Sequence, residues 1–362
     1  MPLYDGLAGL EAGEKARTID GLLKLKQQFR AEGVPPKNTD DTLLVATWNI
    51  REFDSGKYGP RCAECFHYIA EIVSHFDLVA VQEVRDDLRA LQRLLGLLGG
   101  WWKYIVTDVT LGTSGNGERL AFLYDYRKVA FDGLVGELVL PAPADKPVLQ
   151  FARTPFVCGF KAGWSRFNLC TVHIYYGDDT PVDARRVAEI RDLAKTLAAL
   201  ADGSRRKVKS SVGGPDGVLE GEATDLILLG DFNIFNRDDA TFQELTKAGF
   251  VVPPALQALP GGNLAQDKHY DQIAFYAQPA RFGTTGRAGV FDFQKSVFGR
   301  DELDRYRPLI DPRYFTSQAG NPKNRVTVYN DWRTHQMSDH LLLWCELAID
   351  FGEARLRELA AG

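Results

Sequence analysis

Short apolar runs alternate with amphipathic stretches along most of the chain. Nearly continuous aliphatic runs at 43–48, 78–82, 226–229 and 341–345 predict buried β-strands. Apolar residues at helical spacing predict one helix over 66–76 and another over 187–200, the second entered through the cap and proline of Thr180-Pro181. Shorter strands separated by Gly- and Pro-rich turns are predicted between 103 and 175. Strands interleaved with helices in this way are typical of an α/β fold.

The same pattern predicts one large domain with short additions at both ends. An amphipathic stretch at 19–29, followed by the helix-breaking Pro35-Pro36, predicts an N-terminal helical appendage over residues 1–40. The α/β domain is expected over 41–350, and residues 351–362 are expected to form a C-terminal tail. The polar segment 201–224 is predicted to be a solvated loop, with a contact between its basic run at 205–209 and a DNA backbone as the alternative. The polar segment 279–335 is predicted to form insertions or surface loops.

Composition narrows the class of protein without indicating a function. The chain has 362 residues, 45% of them apolar, and a net charge of −5, which excludes collagenous, disordered and disulfide-framework proteins. The acidic balance argues against a nucleic-acid coat protein, although a local basic patch can still bind phosphate. The sequence shows neither the apolar core of a signal peptide nor a run long enough to cross a bilayer. We therefore expect a cytoplasmic protein without membrane insertion.

Five cysteines are scattered along the chain, and this odd number implies no disulfide framework. Cys62 and Cys65 form a CxxC motif just before the helix predicted at 66–76. We interpret the motif as a pair of thiols near a helix start, with zinc binding or redox chemistry as the alternative.

Polar side chains gather at the ends of the predicted buried strands. Several strands are followed by an acid, an amide or an imidazole: Asn49, Glu83, His173, Asp231 and Asn233. Three further polar residues precede strands instead: Asp271, Asp339 and His340. If these later strands run antiparallel to the others, all of these side chains lie at one sheet edge. Each residue alone has a structural explanation as a turn or cap residue, but together they predict one polar cleft.

These segments resemble the motifs of the endonuclease/exonuclease/phosphatase family, which includes deoxyribonuclease I, the exonuclease III-type abasic-site endonucleases and the inositol polyphosphate 5-phosphatases. The resemblance covers roughly residues 42–346, and order and spacing match in ATWNI, VAVQEV, TVHIYYG, LLGDFN, YDQIAFY and MSDHLLLW. It implies a four-layer α/β sandwich of two packed mixed β-sheets flanked by helices. It also implies hydrolysis of phosphodiester or phosphomonoester bonds with a divalent metal, usually Mg²⁺, with Mn²⁺ as the alternative ion.

The chemistry of phosphoester hydrolysis calls for hard oxygen ligands. Charge accumulates on the phosphoryl and leaving oxygens, and a cation held by carboxylates offsets that charge. Glu83, at the end of a rigid strand, is the first candidate ligand, with Asn49 beside it as an oxygen ligand or an orienting amide. Asp339 is the next candidate, because a second carboxylate oxygen would complete a mainly hydrated magnesium shell.

The resemblance implies roles for the other polar residues of the cleft. Asp231 would position or deprotonate the nucleophilic water, and the amide of Asn233 would donate to a phosphate oxygen. Arg119, in the segment GERLAF, falls where the deoxyribonuclease branch has an arginine that faces the phosphate.

Two histidines are expected to supply the acid–base chemistry. His340 would protonate or hydrogen-bond the phosphoryl oxygen, and Asp271 would fix the tautomer of its ring. His173 is the second imidazole, and relatives with a histidine at this place resemble deoxyribonuclease I in their acid–base arrangement.

The leading prediction is a magnesium-dependent phosphodiester hydrolase, specifically an endonuclease whose partner is DNA. The segment YDQIAF is similar to the deoxyribonuclease I branch, and the sequence lacks the Pro-Ala-Trp-Cys-Asp-Arg run of the inositol phosphatases. The alternative is a phosphatase or phosphodiesterase acting on a small molecule or a phospholipid headgroup. A third hypothesis is a non-catalytic binding protein, whose signature would be loss of Glu83, Asp231 or His340, all of which are present.

Overall fold

Eleven strands of the described residues form two β-sheets. The computed structural model describes residues 2–57, 59–111, 115–141, 148–210, 225–276 and 283–361. The strands are β1 (Thr42–Phe53), β2 (Leu78–Arg85), β3 (Trp102–Val106), β4 (Glu118–Asp125), β5 (Ala130–Glu137), β6 (Phe156–Ala162), β7 (Ser165–His173), β8 (Asp225–Asp231), β9 (Asp271–Tyr276), β10 (Gly283–Phe291) and β11 (Leu342–Ala348). One sheet has the order β10-β11-β1-β2-β4-β3, and the other has the order β5-β6-β7-β8-β9.

Helices connect and cover these strands. The α-helices are α1 (Ala12–Ala31), α2 (Ala63–Ser74), α3 (Arg89–Leu98), α4 (Ala184–Ser210), α5 (Ala240–Lys247), α6 (Pro254–Gln257), α7 (Leu303–Tyr306), α8 (Arg325–Gln336) and α9 (Gly352–Ala361). Short 3₁₀ segments lie at Asp5–Gly9, Phe293–Lys295, Arg307–Leu309 and Pro312–Phe315.

The two sheets share one hydrophobic core. Leu43 of β1 and Phe122 of β4 belong to the same buried cluster as Phe156 and Leu169 of the second sheet. The next residue of β1, Leu44, belongs instead to a cluster with side chains of α1, α2 and α3, because successive strand residues point to opposite faces. Strands covered on both faces have no polar face, which explains the continuous apolar runs. The predicted α/β fold of two mixed sheets flanked by helices is confirmed.

Strand direction brings the polar residues to one edge of each sheet. β1 runs parallel to β2, and β7 runs parallel to β8. β11 runs antiparallel to β1 and β9 runs antiparallel to β8, so the starts of β9 and β11 lie beside the ends of their neighbours. The condition set for the last strand, that it runs antiparallel, is therefore met.

Regular structure occupies part of both segments predicted to be loops. α4 continues to Ser210 and so includes the basic run at 205–209, while residues 211–224 lie outside the described part of the chain. Residues 279–335 were predicted to form insertions or surface loops; surface loops do not describe the whole segment, because β10, α7 and α8 lie there. The side chain of Asn324 caps α8 by accepting hydrogen bonds from the backbone N–H groups of Val326 and Thr327. α8 mixes polar and apolar residues around its axis, so hydrophobic periodicity does not reveal it.

The N-terminal helix α1 packs on the same face of the first sheet as α2 and contacts the sheet directly. Leu22, Leu25 and Phe29 of α1 are buried, and the Phe29 ring stacks between those of His75 and Phe291, with centroid distances of 3.6 and 3.9 Å. The predicted appendage thus contributes to the core, and the division of the chain into domains stays a prediction. No helix of the described residues is long and apolar enough to cross a membrane.

Candidate active site

A bulge at the end of β2 directs Glu83 out of the sheet. The pairing of β2 with β4 shifts register between Val81 and Val84, and the pairing with β1 shifts at the same place. Glu83 itself has a left-handed φ of 62°, which is uncommon outside glycine. Its carboxylate accepts hydrogen bonds from Asn49 Nδ2 at 2.9 Å and from the backbone N–H of Glu52 at 2.7 Å. The ends of β1 and β2 are therefore joined through one carboxylate.

Asp231 lies at the end of β8, where the backbone of β7 approaches closely. The preceding Gly230 has a φ of 140°, and a Cβ there would lie 2.2 Å from the carbonyl oxygen of Val172, so only glycine fits. The carboxylate of Asp231 accepts a hydrogen bond from the backbone N–H of Asn233 at 2.9 Å. The Asn233 side chain donates to the Ile174 carbonyl at 2.8 Å, which ties this turn to the end of β7.

His173, His340 and the side-chain amide of Asn49, all predicted site residues, surround one oxygen of Asp231. Asp231 Oδ2 accepts a hydrogen bond from Asn49 Nδ2 at 3.0 Å. The same oxygen lies 3.6 Å from His340 Nε2 and 3.7 Å from His173 Nε2. Side chains from β1, β7, β8 and the segment before β11 therefore converge on a single carboxylate, across both sheets.

Each imidazole has a buried carboxylate at its other nitrogen. His340 Nδ1 is 3.0 Å from Asp271 Oδ2, at the start of β9. His173 Nδ1 is 2.8 Å from Glu118 Oε2, at the start of β4. A carboxylate in this position orients the ring and stabilises its protonated form.

The segment 338–340 is fixed to β1 by Ser338. The hydroxyl of Ser338 donates to the Asn49 carbonyl at 2.6 Å and accepts hydrogen bonds from the N–H groups of Arg51, at 3.3 Å, and His340, at 2.9 Å. The indole of Trp48 donates to the His340 carbonyl at 2.9 Å. These bonds fix the position of His340 relative to β1, the strand that carries Asn49.

These residues line a cavity of about 400 Å³. Its walls include most of the residues predicted for the site together with others from the surrounding loops: Glu83, His173, Asp231, Asn233, Asp339, His340, Arg51, Glu52, Asn116, Glu118, Arg153, Tyr176 and Tyr270. Asp339 is about half exposed, and its carboxylate lies 3.7 Å from Arg51 Nε. Asn49 and Asp271 lie immediately beneath the wall, through their contacts with Glu83 and His340.

Arg119 is not among the described residues that line this cavity. Its Nη1 donates to the Thr107 carbonyl at 2.8 Å and lies 3.7 Å from the Asp108 carboxylate. Arg119 follows Glu118 on β4, and adjacent strand residues point to opposite faces, so only Glu118 turns towards the cavity. Arg153 reaches the cavity instead and donates to the Glu118 carboxylate at 3.0 and 3.2 Å.

Glu118 and Arg153 are functional candidates that the sequence prediction did not include. The signal for Glu118 is its place at the start of a strand antiparallel to β2, beside the end of β2. Arg153 lies in the connection between β5 and β6, and no sequence pattern marks it.

Charge outweighs burial in setting the protonation of both imidazoles. Burial alone would lower the pKa of His340, but Asp271 and Asp231 raise that pKa well above its ordinary value of 6.5. Burial and Arg153 oppose protonation of His173, yet Glu118 and Asp231 raise the pKa of His173 as well. Burial raises the pKa of the Glu83 carboxyl, a cost that a bound cation would offset.

Two groups of side chains in the cavity could hold a divalent cation. Asp231, Asp271 and His340 offer ligand atoms within 4.8 Å of one another. Those groups already pair with each other as carboxylate and imidazole. Asn49 Oδ1, by contrast, is buried with no hydrogen-bond partner among the described residues, and it adjoins the Glu83 carboxylate. A hard cation prefers such oxygen ligands, so the side of the cavity around Asn49 and Glu83 fits a metal.

The sequence profile of the Endonuclease/Exonuclease/phosphatase family matches residues 46–342, from β1 to the start of β11. The chain belongs to this family. Human deoxyribonuclease-1-like 2 is 32% identical over 123 residues, which are 33% of this chain and 38% of that protein. Deoxyribonuclease-1 of Bos taurus is 36% identical over 94 residues, 25% of this chain and 32% of that protein. The chain thus spans about a third of the length of these curated relatives.

Solved structures of the family share the fold at low sequence identity. The catalytic domain of human Nocturnin, solved with bound sulfate, has a TM-score of 0.52 and 15% identity and covers 84% of this chain and 94% of its own. A family protein from Bacteroides thetaiotaomicron has a TM-score of 0.50 and 16% identity and covers 86% of this chain and 97% of its own. Family members are hydrolases of phosphoester bonds, and the polar cavity lies where the sheet edges of this fold meet.

Proposed function

We propose that the chain is a magnesium-dependent phosphodiester hydrolase that cleaves DNA as an endonuclease. One observation supports the proposal most strongly. Asp231 Oδ2 lies between the imidazoles of His173 and His340, and the other ring nitrogen of each imidazole lies next to a buried carboxylate. Hydrolysis needs one group to take a proton from water and another to return a proton to the leaving oxygen. A site with a carboxylate between two such imidazoles contains groups for both transfers.

Asn49, Glu83 and Asp339 would hold the cation. When bound, Mg²⁺ would supply positive charge to the phosphoryl and leaving oxygens during displacement. Asn49 Oδ1 and the Glu83 carboxylate are the buried ligands in this proposal, and the half-exposed Asp339 lies towards the open side.

The protein's own groups would move the protons. Asp231 orients a water molecule and takes its proton as the water oxygen bonds to phosphorus. The phosphorus–oxygen bond to the leaving group breaks, and a protonated imidazole donates the proton that the departing oxygen takes. His340 is suited to this role because Asp271 and Asp231 raise its pKa and keep it protonated at neutral pH. His173 and Asn233 would hydrogen-bond the nonbridging phosphate oxygens.

The choice of DNA rests on the deoxyribonucleases among the relatives and on the basic side chains of the cavity. Arg51 and Arg153 line it, and both can approach a phosphate. A net charge of −5 leaves little attraction for nucleic acid at a distance, so we expect binding to depend on the cation and on these local contacts.

Nicking of supercoiled plasmid tests the proposal. The purified protein should convert it to open circles with Mg²⁺ but not with excess chelator. Asp231→Asn and His340→Gln should each lower the rate at least a hundredfold, since each removes a proton-transfer group. Arg237→Met, outside the cavity, is the matched control and should nick at about the wild-type rate. Intact plasmid at high wild-type concentration, with every ion tried, would contradict nuclease function.

The second candidate is a phosphatase or phosphodiesterase of a small molecule or phospholipid headgroup. The cavity volume of about 400 Å³ suits a single small ligand, and Tyr176 and Tyr270 give it an aromatic wall. Nucleotide, inositol and lipid phosphates assayed beside DNA and RNA would separate the two candidates. A small substrate cleaved with a kcat/KM at least a hundredfold above that for DNA would favour this second one.

A further inference from the structure

Arg61 is a buried cation that neither the fold nor the proposed chemistry accounts for. It lies just before α2, and only 4% of its surface is exposed. Its guanidinium does not reach the cavity, which is lined by other residues. Its Nε donates to Asp54 Oδ1 at 3.1 Å, the one carboxylate within salt-bridge distance among the described residues.

The remaining N–H groups of Arg61 join two segments that are far apart in sequence. Nη1 donates to the carbonyls of Gln336, at 3.1 Å, and Met337, at 3.5 Å, where α8 ends. Nη2 donates to the carbonyl of Arg51 and, at 3.4 Å, to that of Glu52, where β1 ends. One planar side chain thus bridges the end of β1 and the end of α8.

Both of these segments continue directly into the candidate active site. The backbone N–H of Glu52 donates to Glu83 at 2.7 Å and so fixes the proposed metal ligand. Met337 precedes the Ser338-Asp339-His340 segment, which carries a second proposed ligand and the proposed proton donor. We call the region of Asn49 and Glu83 the metal side of the cavity. The distance between the metal side and His340 therefore depends on the two backbone segments that Arg61 connects.

The CxxC motif supports the same connection. The backbone N–H of Cys62 donates to Gln336 Oε1 at 2.8 Å, and Cys65 Sγ lies 2.9 Å from the same oxygen. The start of α2 thus holds the end of α8 through a side chain as well as through Arg61. Cys62 makes this contact through its backbone, and Cys65 makes it through its thiol.

Burying an arginine is unfavourable unless its hydrogen-bonding groups find partners. Burial also lowers the pKa of Arg61, but from a value so high that the side chain keeps its charge. An apolar residue could fill the same volume without this cost, yet it could not bond to carbonyls of two segments at once. The fixed fork of the guanidinium can, which is a reason for arginine at this position.

We propose that Arg61 is a positioning residue that sets the distance between the metal side of the active site and His340. The expected effect of Arg61 on catalysis rests on the proposed function. Its expected effect on the positions of the two backbone segments does not. Arg61 acts through the backbone of segments 51–52 and 336–337 and contacts neither substrate nor the reacting atoms.

Steady-state kinetics of Arg61→Met, with Arg61→Lys as the conservative variant, test the catalytic consequence on the best substrate found for the wild-type protein. Arg61→Met should lower kcat about a hundredfold with KM changed less than threefold, because misplaced groups cost rate after substrate has bound. Arg61→Lys should recover part of the loss, since its amine can reach one segment. The matched control is Arg237→Met, which removes an arginine bonded to the Leu256, Gln257 and Leu259 carbonyls, outside the cavity.

Amide hydrogen exchange provides a readout that needs no substrate. Exchange at 50–53 and 336–340 should be at least tenfold faster in Arg61→Met than in the wild type, and unchanged there in Arg237→Met. Wild-type kcat in Arg61→Met, or unchanged exchange in both segments, would overturn the proposal. If the wild-type protein hydrolyses no phosphoester, the proposed function fails, and the exchange measurement alone decides whether Arg61 positions the two segments.

Discussion

A single oxygen of Asp231 links the two halves of the candidate site. It accepts a hydrogen bond from Asn49 on the metal side and lies within 3.7 Å of both imidazoles on the other. In this geometry the charge of a bound cation and the protonation of both histidines can each affect the same carboxylate. Replacing Asp231 should therefore affect metal dependence and pH dependence together.

Gly262 provides a test of the pairing between Asp271 and His340. A Cβ at Gly262 would lie 2.3 Å from Asp271 Oδ2, the oxygen that is 3.0 Å from His340 Nδ1. Gly262→Ala should displace that carboxylate and lower kcat between tenfold and a hundredfold, because the imidazole loses its orienting partner.

The control for Gly262→Ala is a comparable clash elsewhere. A Cβ at Gly289 would lie 2.7 Å from the indole of Trp344, between β10 and β11. Gly289→Ala should lower the thermal unfolding temperature while its kcat stays near the wild-type value. Equal losses of kcat in the two variants would mean that the effect of Gly262→Ala is one of stability alone.

Individual residues were predictable where the end of a strand fixes their place. Asn49, Glu83, Asp231 and His340 follow or precede apolar runs, and the structure brings them to one cavity or directly beneath it. Arg119 was expected there because its segment resembles the family, but the alternation of side chains along β4 turns it away. Arg153 could not be predicted, since it lies in the connection between β5 and β6, outside any helix or strand.

At the scale of elements, α1 is attached to α2 by an ion pair to a buried carboxylate as well as by apolar packing. Glu71 of α2 is 1% exposed and accepts hydrogen bonds from Lys26 at 2.6 Å and from the hydroxyl of Tyr4. His75 Nε2 lies 3.2 Å from the same carboxylate. Burial alone would raise the pKa of Glu71, but these partners outweigh it and lower that pKa to about 2.

Glu71→Gln should therefore destabilise the protein in a pH-dependent way. A carboxyl group whose pKa is lower in the folded state stabilises the folded protein fully when the pH is above its unfolded pKa, here about 4.5. That stabilisation disappears as the pH falls through the folded pKa of about 2. The lowered pKa corresponds to about 3 kcal/mol at neutral pH. Urea unfolding should show a difference between wild type and Glu71→Gln that shrinks by about 1 kcal/mol from pH 7 to pH 3.5.

Asp20→Asn is the matched control for this measurement, because Asp20, on α1, also pairs with basic side chains, those of Lys24 and Arg305, but is about half exposed. We expect a change below about 1 kcal/mol for it, as for other surface pairs. A Glu71→Gln difference that is independent of pH would show that the ion pair does not hold α1 in place.

The elements that the sequence predicts best are those buried on both faces. β1, β2 and β8 appear as continuous apolar runs because helices or the other sheet cover each side. α8 escapes prediction because its packing relies on a few large side chains, such as Tyr329 and Trp332, rather than on a regular apolar stripe. α4 extends beyond the predicted boundary because its last turns carry polar helix-forming residues.

At the scale of the whole molecule, the cavity exists because the two sheets pack with their polar edges side by side. β1, β2 and β4 bring Asn49, Glu83 and Glu118 from one sheet, while β7, β8 and β9 bring His173, Asp231 and Asp271 from the other. The antiparallel direction of β9 and β11 was only a supposition from the sequence, and the structure shows it. How the sheets face each other came only from the resemblance to a known family, since apolar periodicity does not specify which faces meet.

The location of a bound ion tests most directly the claim that the cation and the imidazoles face Asp231 from opposite sides. A crystal containing Mn²⁺ should show anomalous scattering about 2.0–2.4 Å from oxygens of Glu83 and Asn49. The same crystal of Glu83→Gln should show little or no peak at that place. A peak enclosed by Asp231, Asp271 and His340, or none in the cavity at saturating Mn²⁺, would contradict the account.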